Sequence, residues 1–324
     1  MALHYKRYAG LALDPIHVGT GEFQLGRVDN LIVREPGSRI PKIPGTSIAG
    51  VTRAYAAMRE AAPDGVPGSR YLYGEGTDLK SCAGKGGPNG DDHCGQPSCP
   101  ICVAFGFSRG GEKSSFQGLA AFTDARILLF PVASGMETWW VTSPQVLLDA
   151  EVLKSDDQRS ALAKAVKIGS EYKALTTASG KGRMRLGWLS LDRTATEAMP
   201  PTINLPGLKA QGATERVVVV ADDLFSAVVN DHLEVRTSVS IDPKTGTAAE
   251  KALFTAEAIP RTTVFWFQMG LQDSQYFRIG GRAITANGLD EKVDLALKDM
   301  ETMGVGGLNT RGFGRLRVER WLVA

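Results

Sequence analysis

Cys82, Cys94, Cys99 and Cys102 are the only cysteines of the 324-residue chain. Cys99-Pro100-Ile101-Cys102 is a CxxC knuckle, and the two upstream thiols complete a tetrahedral set for zinc. Four protein ligands close the coordination sphere, so the chemistry expected is structural rather than hydrolytic. His93 stands next to Cys94 as a substitute fourth ligand, and free or redox-active thiols are the alternative to a metal. A disulfide framework in a chain of this size would spread its cysteines instead of clustering them.

A second group of chemistry-bearing residues surrounds Asp29. The stretch from Gly26 through Asp29 to Gly50 places one carboxylate at the head of a Pro- and Gly-rich loop that runs into a helix. Backbone amides at a helix start favour anions. Lys42, Ser47 and Arg53 flank that start, so a phosphate chain is the anion expected there. A carboxylate beside it suits a reaction at the phosphate or at its neighbouring hydroxyl, although Asp-Asn is equally a turn-forming pair. The Met303–Arg315 loop is also Gly-rich: Gly306 and Gly307 let backbone amides approach a phosphate, and Arg311 and Arg315 add charge. It follows a helix and precedes a strand, the reverse of a dinucleotide fingerprint, and a plain tight turn explains it as well.

These residues need a scaffold, and the composition supplies the means for one. Hydrophobic residues make up 43% and charged residues 22% of the chain, with a net charge of +2 and a pI near 8.3. A global polycation argument is thereby excluded, and local clusters must carry any anion binding. No apolar run approaches the ~18 residues of a membrane span, so a cytoplasmic protein without membrane contact is expected. Strands are expected at Tyr8–Leu13, Ala120–Pro131, Trp139–Thr142, Val217–Val220, Val235–Ile241, Thr263–Leu271 and Leu316–Leu322. Helices are expected after Pro44, with Thr46 or Ser47 as cap and Ile48, Val51, Tyr55 and Met58 as its apolar stripe, and from Pro144 to about Lys167. Two more follow Asp222 and span Leu289–Met303. Residues 74–117 lack periodicity and need the cysteines as a staple. Residues 169–212, with Lys181, Arg183 and Arg185 among glycines and prolines, read as an exposed insertion containing a hairpin. The alternation of elements implies an α+β fold of ferredoxin-like type.

Pro15-Ile16-His17-Val18-Gly19-Thr20-Gly21, Val28-Asp29-Asn30, Arg34-Glu35, Ile43 through Gly50 and the Gly304–Gly314 loop together resemble the RAMP superfamily of CRISPR-associated RNA-binding proteins. The segments Thr123–Val132, Trp140–Pro144 and Ile241–Gly246 are similar to the repeated backbone subunit of type III-B (Cmr) effector complexes. The cysteine-rich insertion is more like that of the type III-A (Csm) backbone subunit.

The resemblance implies a single domain over residues 1–324 with a modified ferredoxin-like (RRM-like) palm and a β-hairpin thumb, for which residues 169–212 are the candidate. It implies copies stacked along a guide RNA, partnered by other type III effector subunits. Target RNA is then cut at regular intervals beside each thumb, by metal-dependent endoribonuclease chemistry with Mg²⁺ or another divalent ion. Asp29 occupies the position of the cutting aspartate. His17 and Glu234 resemble residues near that site, although a turn or core histidine and a strand-surface charge are the plain alternatives. Lys42, Ser47, Arg53, Lys181, Arg183, Arg185, Gly306, Gly307, Arg311 and Arg315 become the expected RNA contacts. A backbone subunit that binds guide RNA without cutting, and a guide-processing nuclease, are the competing functions.

Overall fold

The structure is a computed structural model that describes residues 3–21, 28–60, 81–84, 93–108, 115–135, 137–177, 182–194, 203–205, 213–239, 241, 243–247 and 253–321. Gly26, Lys181, Asp242 and most of the 74–92 and 195–212 segments lie outside the described residues. The chain begins with β1 (Leu3–Ala12), β2 (Lys42–Ile43) and α1 (Gly45–Arg59). Neither Thr46 nor Ser47 caps α1: Pro44 holds the N-cap position with φ −57° and ψ 141°, and the helix starts at Gly45. Its Cβ-less Cα lets the helix start press to within 2.5 Å (measured from an added Cβ) of the Phe122 carbonyl. The buried face is Gly45, Ile48, Thr52, Tyr55, Ala56 and Ala57, while Met58 is exposed. Of the expected stripe, Ile48 and Tyr55 are buried and Val51 is half-buried, and Gly45, Thr52, Ala56 and Ala57 complete the face with small residues that allow close packing.

Next come α2 (Pro100–Phe105), β3 (Ala120–Phe122), β4 (Ala125–Ser134) and β5 (Glu137–Thr142). The expected Ala120–Pro131 strand is interrupted at Asp124, whose Oδ1 turns to accept the Gly45 amide at 2.7 Å. The expected helix from Pro144 is two helices, α3 (Pro144–Asp149) and α4 (Asp156–Val166). Ser143 and Ser155 each cap one with a side-chain oxygen, and Glu151 between them takes a left-handed φ of +56°. Then follow β6 (Lys167–Ile168), β7 (Glu171–Thr176), β8 (Arg183–Leu186), β9 (Leu189–Thr194), β10 (Val217–Val219) and α5 (Asp222–Asp231). The chain closes with β11 (Glu234–Ser238), β12 (Phe254–Ala258), β13 (Val264–Gln272), β14 (Arg278–Ile279), β15 (Arg282–Ala283), α6 (Leu289–Lys298), α7 (Met300–Met303) and β16 (Leu316–Arg320). Among the described residues no helix is long and apolar enough to cross a membrane.

The chain forms two compact units, Met1–Tyr8 with Pro44–Asp124 and Phe267–Val305, and Ala9–Ile43 with Ala125–Trp266 and Gly306–Ala324. In the first, α1 packs on α2 and α6, Tyr8 stacks on Phe267 at 5.2 Å, and the Tyr55 hydroxyl donates to the Gly304 carbonyl at 2.6 Å. A mixed sheet runs in the order β16-β1-β13-β4-β5-β10-β7-β9-β8, with β5–β10 and β7–β9 parallel. Its core joins Leu147, Leu153, Leu162 and Val166 of the α3–α4 region to Leu128, Trp140 and Val219 of the sheet. The hairpin expected in 169–212 is present as β8–β9, but Met184, Leu186 and Leu191 are buried, so it is part of the sheet rather than an exposed excursion. A separate two-stranded ribbon, β11–β12, pairs Glu234 with Ala258 through Ser238 with Phe254. Val235, Val239, Ile241 and Leu253 stand exposed on it and beyond its open end.

Candidate functional site

Asp29 fastens onto β12. Its Oδ2 accepts the Thr255 amide at 2.7 Å and the Thr255 hydroxyl at 2.9 Å, and its own amide donates to Thr255 Oγ1 at 2.9 Å. The Thr255 backbone N–H, then the Thr255 hydroxyl, hold the Asp29 carboxyl below the ordinary carboxylate range. A group with a depressed folded pKa stabilises the fold above its unfolded pKa, and that contribution is lost as pH falls through the folded value. Asp29 is therefore an anion throughout the neutral range. Substituting Thr255 with alanine removes the second of the two donors and leaves the first. The Asp29 pKa, followed by carboxyl-carbon NMR, is expected to rise part of the way to the ordinary value; an unchanged titration would show that the hydroxyl contributes nothing.

The loop behind Asp29 is laid along β12 like a further strand. Asn30 donates its amide to the Thr255 carbonyl at 3.0 Å, and Glu257 donates its amide to the Asn30 carbonyl at 3.0 Å. The buried Glu257 carboxylate accepts the Ile32 amide at 3.2 Å and Arg34 Nη2 at 2.6 Å, while Arg34 Nε donates to Asn230 Oδ1 at 3.0 Å. Removing one member of a buried ion pair strands the other, at a cost of about 3–5 kcal/mol. Arg34→Met is accordingly expected to destabilise the chain by about 3 kcal/mol in a denaturant titration, and a change under about 0.5 kcal/mol would mean the pair is not needed.

His17 is buried at 6% exposure, with Nδ1 donating to the Glu257 carbonyl at 2.6 Å and the ring edge-on to Phe313. It thus joins the same strand two residues from Thr255. The Gly-rich loop wraps around it: the Gly307 amide donates to the His17 carbonyl at 2.8 Å, and a Cβ on Gly306 (φ +88°) would lie 2.3 Å from that oxygen. The Gly307 amide is engaged within the protein, which is the tight-turn role rather than the anion role. Glu234 pairs with Arg236 on β11 and stands opposite Ala258, with no hydrogen bond to Asp29.

Arginines lie along the ribbon and the Gly-rich loop. Arg311 lies over the Phe254 ring at 5.3 Å, one residue before Thr255, and no carboxylate among the described residues pairs with it. Arg236 lies over Phe313 at 4.8 Å and donates to the Gly312 carbonyl at 3.3 Å. Arg315 grips Asp14 with contacts of 2.5 and 3.0 Å. That grip first, then the charges of Arg261 and Arg236, lowers the Asp14 carboxyl below its ordinary range. The stacked guanidinium of Arg311 keeps its N–H edge available and is suited to phosphate oxygens, whereas Arg236 and Arg315 direct theirs to Glu234 and Asp14. Lys42 pairs with Glu35 at 3.3 Å. Ser47 lies in the first turn of α1, with its amide on the Pro44 carbonyl. Arg183 is exposed and pairs with Asp192 at 3.5 Å, and Arg185 is exposed opposite Ser190; both lie on β8 at the sheet edge.

In the first unit, the sulfurs of Cys82, Cys94, Cys99 and Cys102 all lie within 4.8 Å of one another. A tetrahedron with metal–sulfur bonds of about 2.3 Å has edges of about 3.8 Å. The Cys94–Cys102 and Cys102–Cys82 separations are 3.7 and 3.9 Å, and no disulfide joins them. Cys102 sits with its amide 3.5 Å from the Cys99 sulfur, the turn of a knuckle. Hydrogen bonding with Cys102 draws Cys82 below the ordinary thiol range and Cys94 down to about 7, while the thiolate at Cys82 pushes Cys102 up. Four thiolates this close repel one another, and a soft dication among them would offset their charge. His93 is outside this set: Arg53 Nη2 donates to its Nδ1 at 3.0 Å. Arg53, expected on a phosphate, is instead committed to this cluster through all three of its guanidinium nitrogens.

Thr255, Glu257 and Phe254 are site residues that sequence reading missed, since nothing local links them to a loop over 200 positions away. A sequence model described as the RAMP superfamily matches residues 11–317. The CRISPR system Cmr endoribonuclease Cmr4 of Pyrococcus furiosus is 24% identical over 330 residues, covering 90% of this chain and 95% of that protein. A type III-B Cmr-beta complex matches in its apo state (TM-score 0.62, 16% identity, 98% of this chain, 96% of that chain). It matches again when bound to cognate target RNA (TM-score 0.60, 16% identity, 98% and 97%). Oligomeric Cmr4 from Pyrococcus furiosus matches at a TM-score of 0.55 and 18% identity over 98% of each chain. These likenesses agree with the mixed sheet, and the sequence match spans the Asp29 loop, β12 and the Gly-rich loop alike: the chain belongs to the RAMP superfamily.

Proposed function

We propose that this chain is the backbone subunit of a cytoplasmic type III CRISPR ribonucleoprotein, binding guide RNA through stacked copies of itself beside other effector subunits. In that assembly it cuts complementary target RNA at regular intervals. The observation that carries the reading is the attachment of Asp29 to Thr255, which sets an ionised carboxylate beside the β11–β12 ribbon. Exposed aliphatic residues on a two-stranded ribbon suit the hairpin that interrupts a guide–target duplex. We therefore assign the thumb to β11–β12 in place of residues 169–212, and the mixed sheet to the ferredoxin-like palm.

A carboxylate with a depressed pKa is a weak proton acceptor near pH 7. Asp29, its orientation fixed by Thr255, would instead hold a hydrated Mg²⁺ or similar ion. Such an ion, when bound, offsets phosphate charge and supplies a metal-bound base. The 2′-hydroxyl would give up its proton to base as its oxygen bonds the adjacent phosphorus, the P–O5′ bond would break, and the 5′-oxygen would take a proton from water, leaving a 2′,3′-cyclic phosphate and a 5′-hydroxyl. Arg311 holds a neighbouring phosphate, reading backbone rather than base identity. The four thiols hold a structural zinc, which when bound fixes the cysteine loop. Supplying the assembled, guided complex with complementary RNA tests the reading. Cutting that depends on Asp29 supports it; cutting that does not would leave Asp29 the turn-forming role of its Asp-Asn pair. The isolated chain is expected to leave repeat RNA intact, and cleavage there would favour guide processing.

A further inference from the structure

We propose that Arg53 is the counter-ion and clamp of the four-cysteine site, setting how tightly that site holds its metal. The inference rests on the reading of the cluster as a zinc site. One side chain of α1 reaches three separate segments: Arg53 Nε donates to the Cys82 carbonyl at 2.6 Å, Nη1 to the Gly106 carbonyl at 2.8 Å and Nη2 to His93 Nδ1 at 3.0 Å. Cys82 is itself one of the four thiols. Gly106 closes α2, the helix that carries Cys102, through its amide bond to the Cys102 carbonyl at 3.0 Å. The two stretches of chain that bring the sulfurs together are therefore pinned to one guanidinium.

Charge adds a second role. Four thiolates around a dication carry a net charge of −2, and the sulfur-bearing residues Cys82, Cys99 and Cys102 are fully buried. Such charge out of water is costly unless paired, and a fixed cation beside the cluster halves it. Arg53 also settles the ligand set. A guanidinium only donates, so Nδ1 of His93 accepts, the neutral ring carries its proton on Nε2, and neither nitrogen is offered to a metal. A lysine would keep the charge but lose the fork that spans three acceptors.

The test uses the full chain, stripped of metal under reducing conditions and titrated with zinc against a chromophoric chelator and with cobalt(II) by absorption. Mutation of such outer partners typically costs 10–100-fold in affinity. Arg53→Gln is expected to bind zinc at least about tenfold more weakly than the parent chain. Arg53→Lys, which should fold even where the glutamine variant does not, is expected to lose about tenfold as well. Parent affinity in Arg53→Lys or in a folded Arg53→Gln would overturn the proposal. A parent chain that takes up neither zinc nor cobalt would instead overturn the zinc reading, so the two failures are distinguishable.

Discussion

Assembled complexes carrying Asp29→Asn will bind guide and target as tightly as the parent and cut the target roughly 10³-fold more slowly. Asparagine keeps the shape of the side chain and a carbonyl oxygen able to accept from Thr255, so the loop on β12 is retained. The negative charge is what disappears. Metal-assisted and acid–base contributions of this kind amount to about 10²–10⁴ in rate, and 10³ corresponds to about 4 kcal/mol of barrier. The loop is held independently by Asn30, Ile32 and Arg34 against Thr255 and Glu257, so Arg311 should still meet its phosphate. Single-turnover cutting rates alongside target affinity separate the two effects. A parallel loss of binding would assign Asp29 to RNA positioning instead.

The second large effect concerns the first unit. Cys102 has its sulfur within 3.9 Å of two others and lies in α2, with Ile101, Cys102 and Val103 all buried. Structural zinc contributes an apparent ~10–16 kcal/mol in zinc-finger peptides at neutral pH. Part of that binding free energy is folding free energy here, because α2 is the one regular element among the described residues of this stretch, 81–84 and 93–106. Metal analysis should find about one zinc per chain in the parent. Cys102→Ser, or stripping with a strong chelator, is expected to lower the melting temperature by about 10 °C or more. That corresponds to roughly 4 kcal/mol in a unit of this size. Calorimetry with and without added zinc checks it. A parent protein without metal, melting at the same temperature after chelation, would contradict the staple.

What could be read in advance divides along physical lines. The cysteines were legible because ligand chemistry constrains spacing along a short stretch of chain. Val217–Val219, α5 and the α6–α7 face of Leu289, Val293, Ala296, Leu297 and Met300 were legible because burial follows local periodicity. The split between α3 and α4 was visible in principle, since Ser143 and Ser155 are both capping residues. Asp29 was legible through resemblance, but its anchor was not: Thr255 is 226 positions away, and only the pairing of a loop with β12 joins them. Arg53 could not be told from a solvated arginine, because its partners are main-chain carbonyls and a histidine that no pattern marks. Gly306 and Gly307 have the composition of an anion loop, and the fold turns them onto the His17 carbonyl instead. The ribbon was half legible. A strand was expected at Val235–Ile241 and β11 covers Glu234–Ser238, but its partner β12 was not foreseen, and on a sheet of only two strands Val235 stays exposed.

Cutting of a guided target beside each ribbon is proposed to depend on one acid per copy. That dependence is tested most directly by sizing end-labelled target RNA after incubation with the guided complex and Mg²⁺. A ladder of evenly spaced fragments ending in cyclic phosphate is expected, erased by Asp29→Asn. A target left intact by the parent complex, or an even ladder that survives loss of Asp29, would contradict it.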